Sequence, residues 1–174
     1  MRSHSLLFVI SLILLAAVSG CGKSADDLYS EGKTQILKKE TVEKGLKTLS
    51  KFEKKYPDDK RTPEVVLALA MALQGEKRFD ESIETYMRLI NRYSDSAEAH
   101  KGMFLLGYMY YEDIKDNDKT IDTFITFIAT YPDSELVTSA EVLIENIGLP
   151  VEEWSTVKKI SSGNDDADSS ASDK

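Results

Sequence analysis

The sequence predicts an all-α fold: a solenoid of about three antiparallel helical hairpins followed by a capping helix. Short phrases that begin with tyrosine recur at positions 56, 93 and 131, which are 37 and 38 residues apart. On both sides of each phrase, apolar residues lie three or four apart, the period of an amphipathic helix. No comparable run shows the alternation that is typical of a β-strand. Repetition at this spacing indicates stacked units, because one hairpin alone cannot bury its apolar face.

The recurring phrases predict where helices end. They read Tyr56-Pro57-Asp58-Asp59, Tyr93-Ser94-Asp95-Ser96 and Tyr131-Pro132-Asp133-Ser134. Proline removes a backbone donor and stops a helix, and Asp or Ser can cap the helix that follows. Each phrase is therefore predicted to close one helix and to open the loop to the next.

Apolar positions at helical spacing define the helices in order. Those before the phrases are Val42, Leu46, Leu49 and Phe52; then Phe79, Ile83, Tyr86, Leu89 and Ile90; and then Ile121, Phe124, Ile125, Phe127 and Ile128. Those after the phrases are Val65, Val66, Leu69, Ala70 and Leu73; then Met103, Leu106, Gly107 and Tyr110; and last Leu136, Ala140, Leu143 and Ile147. We place the last helix over Glu135–Asn146. Together with the Pro150–Ile160 segment and its Trp154, this helix is expected to cover the open end of the stack.

This pattern resembles the tetratricopeptide repeat, which has a large residue, Leu, Gly and Tyr on its first helix and a small residue, aromatic residues and Pro on its second. The third unit matches with Met103, Leu106, Gly107 and Tyr110, then Thr120, Phe124, Phe127 and Pro132 after a one-residue insertion in the turn. The second unit matches without an insertion at Val66, Leu69, Ala70 and Leu73, then Phe79, Ser82, Tyr86, Leu89 and Ser94. The first unit is the weakest match, at Leu28, Glu31, Gly32 and Gln35, then Gly45, Leu49, Phe52 and Pro57.

The resemblance implies a right-handed solenoid over residues 25–160, in which paired helices cross closely at small residues. In its register Gly107 faces Thr120 and Ala70 faces Ser82. Bulky side chains at such crossings would force the helices apart.

The N-terminal segment predicts a lipoprotein precursor. Arg2 precedes an apolar run, Leu6–Val18, which is shorter than the ~20 residues of a membrane-spanning helix and has the length of a signal-peptide core. The tetrapeptide Val18-Ser19-Gly20-Cys21 resembles the bacterial lipobox. That resemblance implies removal of residues 1–20 and lipidation of Cys21. The alternative is an ordinary secreted protein, cut near Ala17 or Gly20, with a free thiol.

The cysteine content supports lipidation. Cys21 is the one cysteine in the chain, so no intramolecular disulfide can form, and acylation would remove a thiol that is a liability in an oxidising compartment. Residues 21–24 would then be a lipidated tether that keeps the repeats near the membrane. Gly22 after the cysteine, rather than Asp, resembles lipoproteins that are sent to the outer membrane, so we expect an anchor there that faces the periplasm.

The charge balance limits the partners. The chain has a formal net charge of −8, with 22 basic and 30 acidic residues, and removal of residues 1–20 takes one basic residue, Arg2, which leaves −9. Such a chain is a poor nucleic-acid ligand and gains nothing overall from anionic lipid, so we expect membrane contact through acyl groups. Residues 161–174 are rich in Ser, Asp and Ala, which predicts a disordered acidic tail; a tail docked on the repeats is the alternative.

The residues do not predict catalysis. His100 is the one histidine that remains after removal of the signal segment, and a metal site needs several ligands at defined spacing. The chain has no CxxC, HExxH or GxSxG motif and no phosphate-binding glycine loop. We therefore expect no enzymatic activity, no metal and no cofactor, and interpret His100 as a surface or capping residue.

The repeat resemblance implies that the first helices line a concave groove. Carried over one by one, the groove positions are Asp26, Tyr29 and Lys33, then Glu64, Leu67, Met71 and Gln74, and then Lys101, Phe104, Tyr108 and Tyr111. Phe104, Tyr108 and Tyr111 share a face, and aromatic residues with a polar tip are favoured binding anchors. The alternative is that Phe104 and Tyr108 only pack against neighbouring helices.

The chain as a whole resembles two families of envelope repeat proteins. One is the repeat lipoprotein of the outer-membrane barrel-assembly machine, and the other is the Tol–Pal-associated coordinator of envelope constriction in cell division. The resemblance implies a non-catalytic scaffold that binds a protein or peptide partner in its groove. A pilotin-like adaptor is a further scaffold option. The alternative of another class is a small-ligand or glycan-binding lipoprotein that uses Tyr108 and Tyr111 as a stacking platform.

Overall fold

The computed structural model describes residues 22–147, and within them the chain forms seven α-helices and no strand. The helices are α1 (Ala25–Ile36), α2 (Val42–Lys55), α3 (Thr62–Gly75), α4 (Phe79–Arg92), α5 (Ala97–Met109), α6 (Asn117–Thr130) and α7 (Val137–Asn146). The all-α prediction is confirmed, and α7 lies where the last helix was expected. Residues 1–21, the Pro150–Ile160 segment and residues 161–174 lie outside the described residues, so the expectations about them stay predictions.

The helices pair as three hairpins, α1–α2, α3–α4 and α5–α6, and α7 packs on α6. Each hairpin packs on the next through contacts of α2 with α3 and of α4 with α5. The first helices also contact one another, α1 with α3 and α3 with α5, whereas a groove separates the second helices α2 and α4. The stack therefore bends with the first helices on its inner side, which we call the concave face.

Three clusters of buried apolar side chains hold the stack together. The cluster between the first hairpin and α3 is Leu28, Leu46, Leu49, Phe52, Val65, Leu69 and Leu73. The cluster between the second hairpin and α5 is Val66, Leu67, Ala70, Tyr86, Leu89, Ala99, Leu106, Met109 and Tyr110. The cluster of the third hairpin and α7 is Met103, Phe124, Ile125, Phe127, Ile128, Tyr131, Ala140 and Ile144. Because each cluster joins a hairpin to the helix that follows it, the hairpins and α7 depend on one another for burial.

The tyrosine phrases close the second helices, as predicted. The backbone N–H groups of Tyr56, Tyr93 and Tyr131 donate to the carbonyl four residues earlier at 2.8, 2.9 and 2.8 Å. The hydroxyl of Tyr93 also donates to the carbonyl oxygen of Pro57 at 3.1 Å, and that of Tyr131 donates to the carbonyl oxygen of Ser94 at 3.3 Å. In the second and third phrases, the tyrosine hydroxyl therefore links each phrase to that of the preceding repeat.

The close helix crossings lie at small residues, with one difference from the predicted register. The hydroxyl of Ser82 donates to the carbonyl oxygen of Ala70 at 2.8 Å, so these two residues do meet. A Cβ added to Gly107 would lie 2.7 Å from Cε1 of Phe124. The ring of Phe124 fills this crossing, one helical turn beyond Thr120, which the repeat register had paired with Gly107.

The first helix forms although polar residues occupy two of its packing positions. The side-chain amide of Gln35 donates to Glu31 at 2.8 Å and accepts from the Thr48 hydroxyl at 2.9 Å. At the start of α1, the Ser24 hydroxyl accepts from the Asp27 N–H and the Asp27 carboxylate accepts from the Ser24 N–H, each at 3.1 Å. This capping box satisfies two backbone donors that would otherwise lack partners, so α1 has a defined first residue.

The one-residue insertion in the third unit is accommodated by a change of helix type at the end of α5. α5 continues as a single π-helical turn, Tyr110–Ile114, and Lys115 then adopts a left-handed conformation with φ of 61°. In the second unit, which has no insertion, α3 ends at Gly75 and Lys77 takes the left-handed conformation with φ of 59°. The insertion thus widens the end of α5 instead of lengthening the loop alone.

Candidate functional site on the concave face

At its amino-terminal end, the concave face consists of side chains that bind one another. The carboxylate of Glu64 on α3 accepts from the Tyr29 hydroxyl at 2.7 Å and from the Lys33 ammonium at 2.8 Å. These hydrogen bonds, from Lys33 first and then from Tyr29, hold the pKa of the Glu64 carboxyl below its ordinary value. Because Tyr29 and Lys33 both lie on α1, the cluster ties the first hairpin to the second.

Arg61, directly before α3, extends this cluster, and sequence reasoning did not find it. Its guanidinium donates to Asp59 at 2.9 and 2.7 Å and to Asp26 at 2.7 Å. The same group lies 5.0 Å from the ring centroid of Tyr29 and 5.4 Å from that of Phe52. Hydrogen bonds from Arg61 lower the pKa of the Asp59 carboxyl to about 2. Asp26 and Tyr29, both predicted as groove positions, therefore contact Arg61 within the chain, although the Asp26 side chain stays exposed.

In the middle of the concave face, the three predicted residues have different surroundings. Leu67 is only 7% exposed and belongs to the core between α3 and α5, so its assignment to an open groove is wrong: the first helices pack at this position. Met71 is 46% exposed. The amide of Gln74 accepts from the Tyr86 hydroxyl at 3.0 Å and donates to the Asp113 carboxylate at 2.6 Å, which joins α3 and α4 to the π-helical turn.

The carboxy-terminal end of the concave face is aromatic. Phe104 is half-buried, with its ring centroid 5.4 Å from that of Phe124 and 5.9 Å from that of Phe127. Most of the Phe104 side chain therefore packs against neighbouring rings, as the packing alternative expected. Tyr108 is 40% exposed, and its ring lies 6.3 Å from that of Tyr111 with the ring planes 50° apart. Tyr108 thus keeps surface that no neighbouring helix covers.

The inserted residue places Tyr111 at this end of the face. Tyr111 lies in the π-helical turn, and the ammonium of Lys115 is 5.7 Å from its ring centroid. Such turns are frequent at functional sites. In the sequence, the one-residue difference in repeat spacing indicated the insertion, although not its place in the helix. Lys101 near the start of α5 is exposed. Met71, Lys101 and Tyr108 are therefore the exposed residues of the concave face, and Tyr111 beside them is half-buried.

Two further features of the described residues concern metal binding and membrane crossing. Within residues 22–147, no group of three or more His, Cys, Asp or Glu residues is placed to hold a metal ion. The ring of His100 stacks on that of Tyr131 with centroids 3.9 Å apart, which gives this histidine a packing role. In the same part of the chain, no helix combines the length and the apolar character that crossing a membrane requires.

A groove on the opposite side of the stack was not predicted from the sequence. It lies between α2 and α4 and has a volume of about 830 Å³. Its floor is apolar and is formed by Leu46, Leu69 and Leu73. Basic side chains from α2, from α4 and from the residue before α4 form much of its walls: Lys47, Lys51, Lys54, Lys55, Arg78 and Arg88. Lysines three or four apart were visible in the sequence as a helix face, but the groove depends on the spacing of two hairpins.

The described helices coincide with a match to a known protein family. The sequence model of the family described as YfiO, outer membrane lipoprotein, matches residues 22–148. The match spans all seven helices and the whole concave face. A search of the curated proteins finds no match.

Proposed function

The chain belongs to the outer membrane lipoprotein family described as YfiO, and from this premise we propose a non-catalytic scaffold whose concave face holds an extended segment of a partner protein. Family membership makes the protein a lipid-anchored component of the outer membrane, in the cell envelope. We further propose that the partner takes part in assembly of outer-membrane proteins, the process that the repeat resemblance favours.

The observation that carries this proposal is the contrast in exposure along the concave face. Tyr108 is 40% exposed and stands beside Tyr111, at a site where the neighbouring Phe104 is already supported by other rings. Tyrosine gives a large rigid surface and a polar tip, and such residues dominate the binding energy of many interfaces. Lys101 on the same helix adds a positive charge that suits a carboxylate on the bound segment.

The anchor is proposed at Cys21. Two features support this residue: it is the one cysteine in the chain, and it directly precedes residue 22, where the family match begins. Each buried CH₂ group of an acyl chain contributes about 0.8 kcal/mol, so two or more chains hold a protein on a bilayer durably. Cys21→Ala should leave the precursor uncleaved and unlipidated. A Cys21→Ala protein that is still processed and still bound to membranes after a salt wash would contradict this anchor.

The partner site can be tested by crosslinking in the intact envelope. A photoreactive amino acid at Tyr108 or Tyr111 should give a defined protein adduct that mass spectrometry identifies. The matched control is Met87, which is 43% exposed but lies on α4, a second helix. Adducts of the same proteins at all three positions, or none at Tyr108 and Tyr111, would remove the support for a concave binding site.

The identity of the adduct separates the remaining alternatives. An outer-membrane barrel or its assembly factor supports the assembly role, whereas a constriction or pilus component supports the coordinator or pilotin role. Saturable glycan binding without a protein adduct would favour the small-ligand alternative. A hydrolase activity that disappears on mutation of one acidic residue would overturn the non-catalytic assignment.

A further inference from the structure

The second helix of the first hairpin carries an excess of positive charge that the other second helices lack. α2 has five lysines and two glutamates, whereas α4 has two arginines against three acidic residues, and α6 has one lysine against two aspartates. The chain as a whole is acidic, with a formal net charge of −8. The basic character of α2 is therefore a local feature and does not follow from composition.

The five lysines occupy one side of α2. At 3.6 residues per turn they fall within an arc of about 100° around the helix, and all five are exposed. The buried side chains of α2, among them Leu46, Leu49 and Phe52, lie on the other side. The lysine face, as we call it, consists of Lys44, Lys47, Lys51, Lys54 and Lys55.

The two glutamates of α2 do not neutralise this face. Each is paired with an arginine of the second hairpin instead: Glu53 with Arg88 of α4 at 2.7 Å, and Glu43 with Arg78, directly before α4, at 3.0 Å. In the part of the chain that the structure describes, the three middle lysines of the lysine face form no ion pair. Their charge is therefore available to an external anion.

The tether of the proposed anchor lies at one end of the lysine face. The ammonium of Lys55 donates to the carbonyl oxygen of Lys23 at 3.3 Å, and the side chain of Lys23 pairs with Glu31 of α1. Cys21 is the residue before Gly22, and consecutive Cα atoms are about 3.8 Å apart. Acyl groups on Cys21 would therefore hold this end of α2 at the layer of lipid headgroups.

We propose that the lysine face rests on anionic phospholipid headgroups of the membrane that holds the anchor. This inference depends on the lipid attachment proposed at Cys21. The anchor supplies proximity, so the attraction of several lysines can orient the protein although the whole chain is acidic. The concave face lies on the inner side of the stack, away from this surface, and stays open to a partner.

A headgroup surface fits the lysine face better than an acidic protein segment does. The lysines are spread along a helix about 21 Å long. The apolar floor of the groove beside them, formed by Leu46, Leu69 and Leu73, is itself buried, with exposed fractions of 6, 2 and 7%. Protein interfaces generally need a buried apolar or aromatic anchor at their centre. A plane of phosphate groups needs only matched, dispersed charge.

The test uses the lipidated mature protein in vesicles of phosphatidylcholine, with or without phosphatidylglycerol. Cys21 carries the lipid, so Ser50→Cys, beside the lysine face, introduces the one free thiol. We expect a membrane-impermeant maleimide to label this thiol several-fold more slowly in the vesicles that contain phosphatidylglycerol. High salt should abolish the difference, because it screens charges beyond a few ångströms. Thr126→Cys, at an exposed position of α6, should be labelled at the same rate in both kinds of vesicle.

Two charge variants complete the test. Lys47→Gln, Lys51→Gln and Lys54→Gln together should remove the protection of Ser50→Cys, whereas Lys101→Gln, Lys115→Gln and Lys119→Gln, which delete the same charge elsewhere, should keep it. Equal labelling of Ser50→Cys in both vesicles would overturn the proposal. Slow labelling in both would also overturn it and would indicate a protein contact on α2.

Failure of the anchor gives a different result. A protein without lipid on Cys21 would not float with neutral vesicles, whereas a lipidated protein without the proposed lipid contact would float and label equally in both vesicles. The crosslinks at Tyr108 and Tyr111 report on the concave face independently of either outcome.

Discussion

The side chains at the two ends of the concave face come from equivalent repeat positions, yet they have different contacts. At the amino-terminal end Tyr29 and Lys33 bind Glu64, so they hold the first hairpin on the second. At the carboxy-terminal end the rings of Tyr108 and the half-buried Tyr111 lie side by side, and Tyr108 keeps exposed surface. A tyrosine at a groove position therefore does not by itself mark a binding site. What matters is whether the next first helix supplies a partner for it.

The seams between hairpins differ in the same way. Ion pairs cross the seam between the first and second hairpins on both sides of the stack, Arg61 with Asp26 and Arg88 with Glu53. The seam between the second and third hairpins is mostly apolar, with the hydrogen bond from Gln74 to Asp113 as a polar contact at its edge. Polar contacts thus hold the amino-terminal end to the next hairpin, whereas Tyr108 at the carboxy-terminal end keeps exposed surface.

The largest expected effect is at the helix crossings. A Cβ on Gly45 would lie 2.6 Å from the backbone nitrogen of Ile36, and this backbone cannot yield unless α1 and α2 separate. Gly45→Ala should lower the free energy of unfolding by about 3 kcal/mol, at the upper end of the usual cost of overpacking. In the third hairpin, Gly107→Ala meets the ring of Phe124, which can shift, so about 1 kcal/mol is expected.

Urea denaturation followed by circular dichroism would measure both variants. Gly75→Ala is the control, because a Cβ there has nothing within 4 Å, and alanine is favoured over glycine in a helix by up to about 1 kcal/mol. Equal losses for Gly45→Ala and Gly107→Ala would mean that the two ends tolerate crowding alike, contrary to the structure.

The second effect concerns the polar seam. The Glu53 side chain is 10% exposed and accepts from Arg88 at 2.7 and 3.3 Å. Arg88→Ala would leave a buried carboxylate without its cation and should cost about 2 kcal/mol in the free energy of unfolding. Replacement of both residues, with Arg88→Met and Glu53→Leu, should recover most of that loss, because well-packed apolar pairs replace ion pairs without penalty. If the double variant is no more stable than Arg88→Ala, the loss is not caused by an unpaired charge.

The third prediction separates stability from binding at the two tyrosines. Tyr29→Ala should lower the free energy of unfolding by about 1–2 kcal/mol, since it loses a hydrogen bond to Glu64 and ring contact with Phe52. Tyr108→Ala should change it by no more than about 0.5 kcal/mol, as is usual at the surface, yet weaken the partner identified by crosslinking about tenfold or more. Thermal unfolding and titration with that partner measure the two quantities. Equal partner binding by Tyr108→Ala and the wild type would contradict the proposed site.

The smallest effect is a dependence on pH that Glu64, at the amino-terminal end of the concave face, should contribute. The pKa of Glu64 is lower in the folded chain than its ordinary value because Lys33 and Tyr29 donate to its carboxylate. A depressed folded pKa contributes stability that is fully present above the unfolded pKa, about 4.3, and is lost as the pH falls through the folded pKa. The wild-type melting temperature should therefore fall further than that of Glu64→Gln between pH 5 and the acid limit.

Glu145→Gln on the exposed side of α7 is the control for this comparison. Its melting temperature should follow the wild type at each pH. If Glu64→Gln and Glu145→Gln show the same acid dependence, the Glu64 cluster contributes nothing specific.

Much of the fold could be predicted because it depends on local periodicity. Apolar residues at helical spacing located the helices, and Tyr56, Tyr93 and Tyr131 marked the ends of the second ones. Small residues at the crossings were expected from the repeat register, although Phe124 rather than Thr120 fills the crossing at Gly107. The π-helical turn could not be predicted from periodicity, because a one-residue insertion can enter either the helix or the loop.

The candidate site was less predictable, because exposure depends on what the neighbouring hairpin supplies. Among the predicted groove positions, Met71 and Tyr108 keep exposed surface, whereas Leu67 is part of the core. The side-chain amide of Gln74 forms hydrogen bonds with Tyr86 and Asp113, which are 12 and 39 residues away in sequence. Local sequence carries no signal for such pairings.

The sequence by itself determined that this chain is a repeat of helical hairpins, because helix periods, stop signals and repeat spacing are properties of neighbouring residues. It also determined the resemblance that the family match bears out. Only the tertiary structure decided which groove residues are free, since Glu64 meets Lys33 across 31 residues and Tyr29 across 35. The tertiary structure likewise turned the glutamates of α2 toward α4 and left its lysines exposed beside the tether, because stacking sets which charges find partners within the chain.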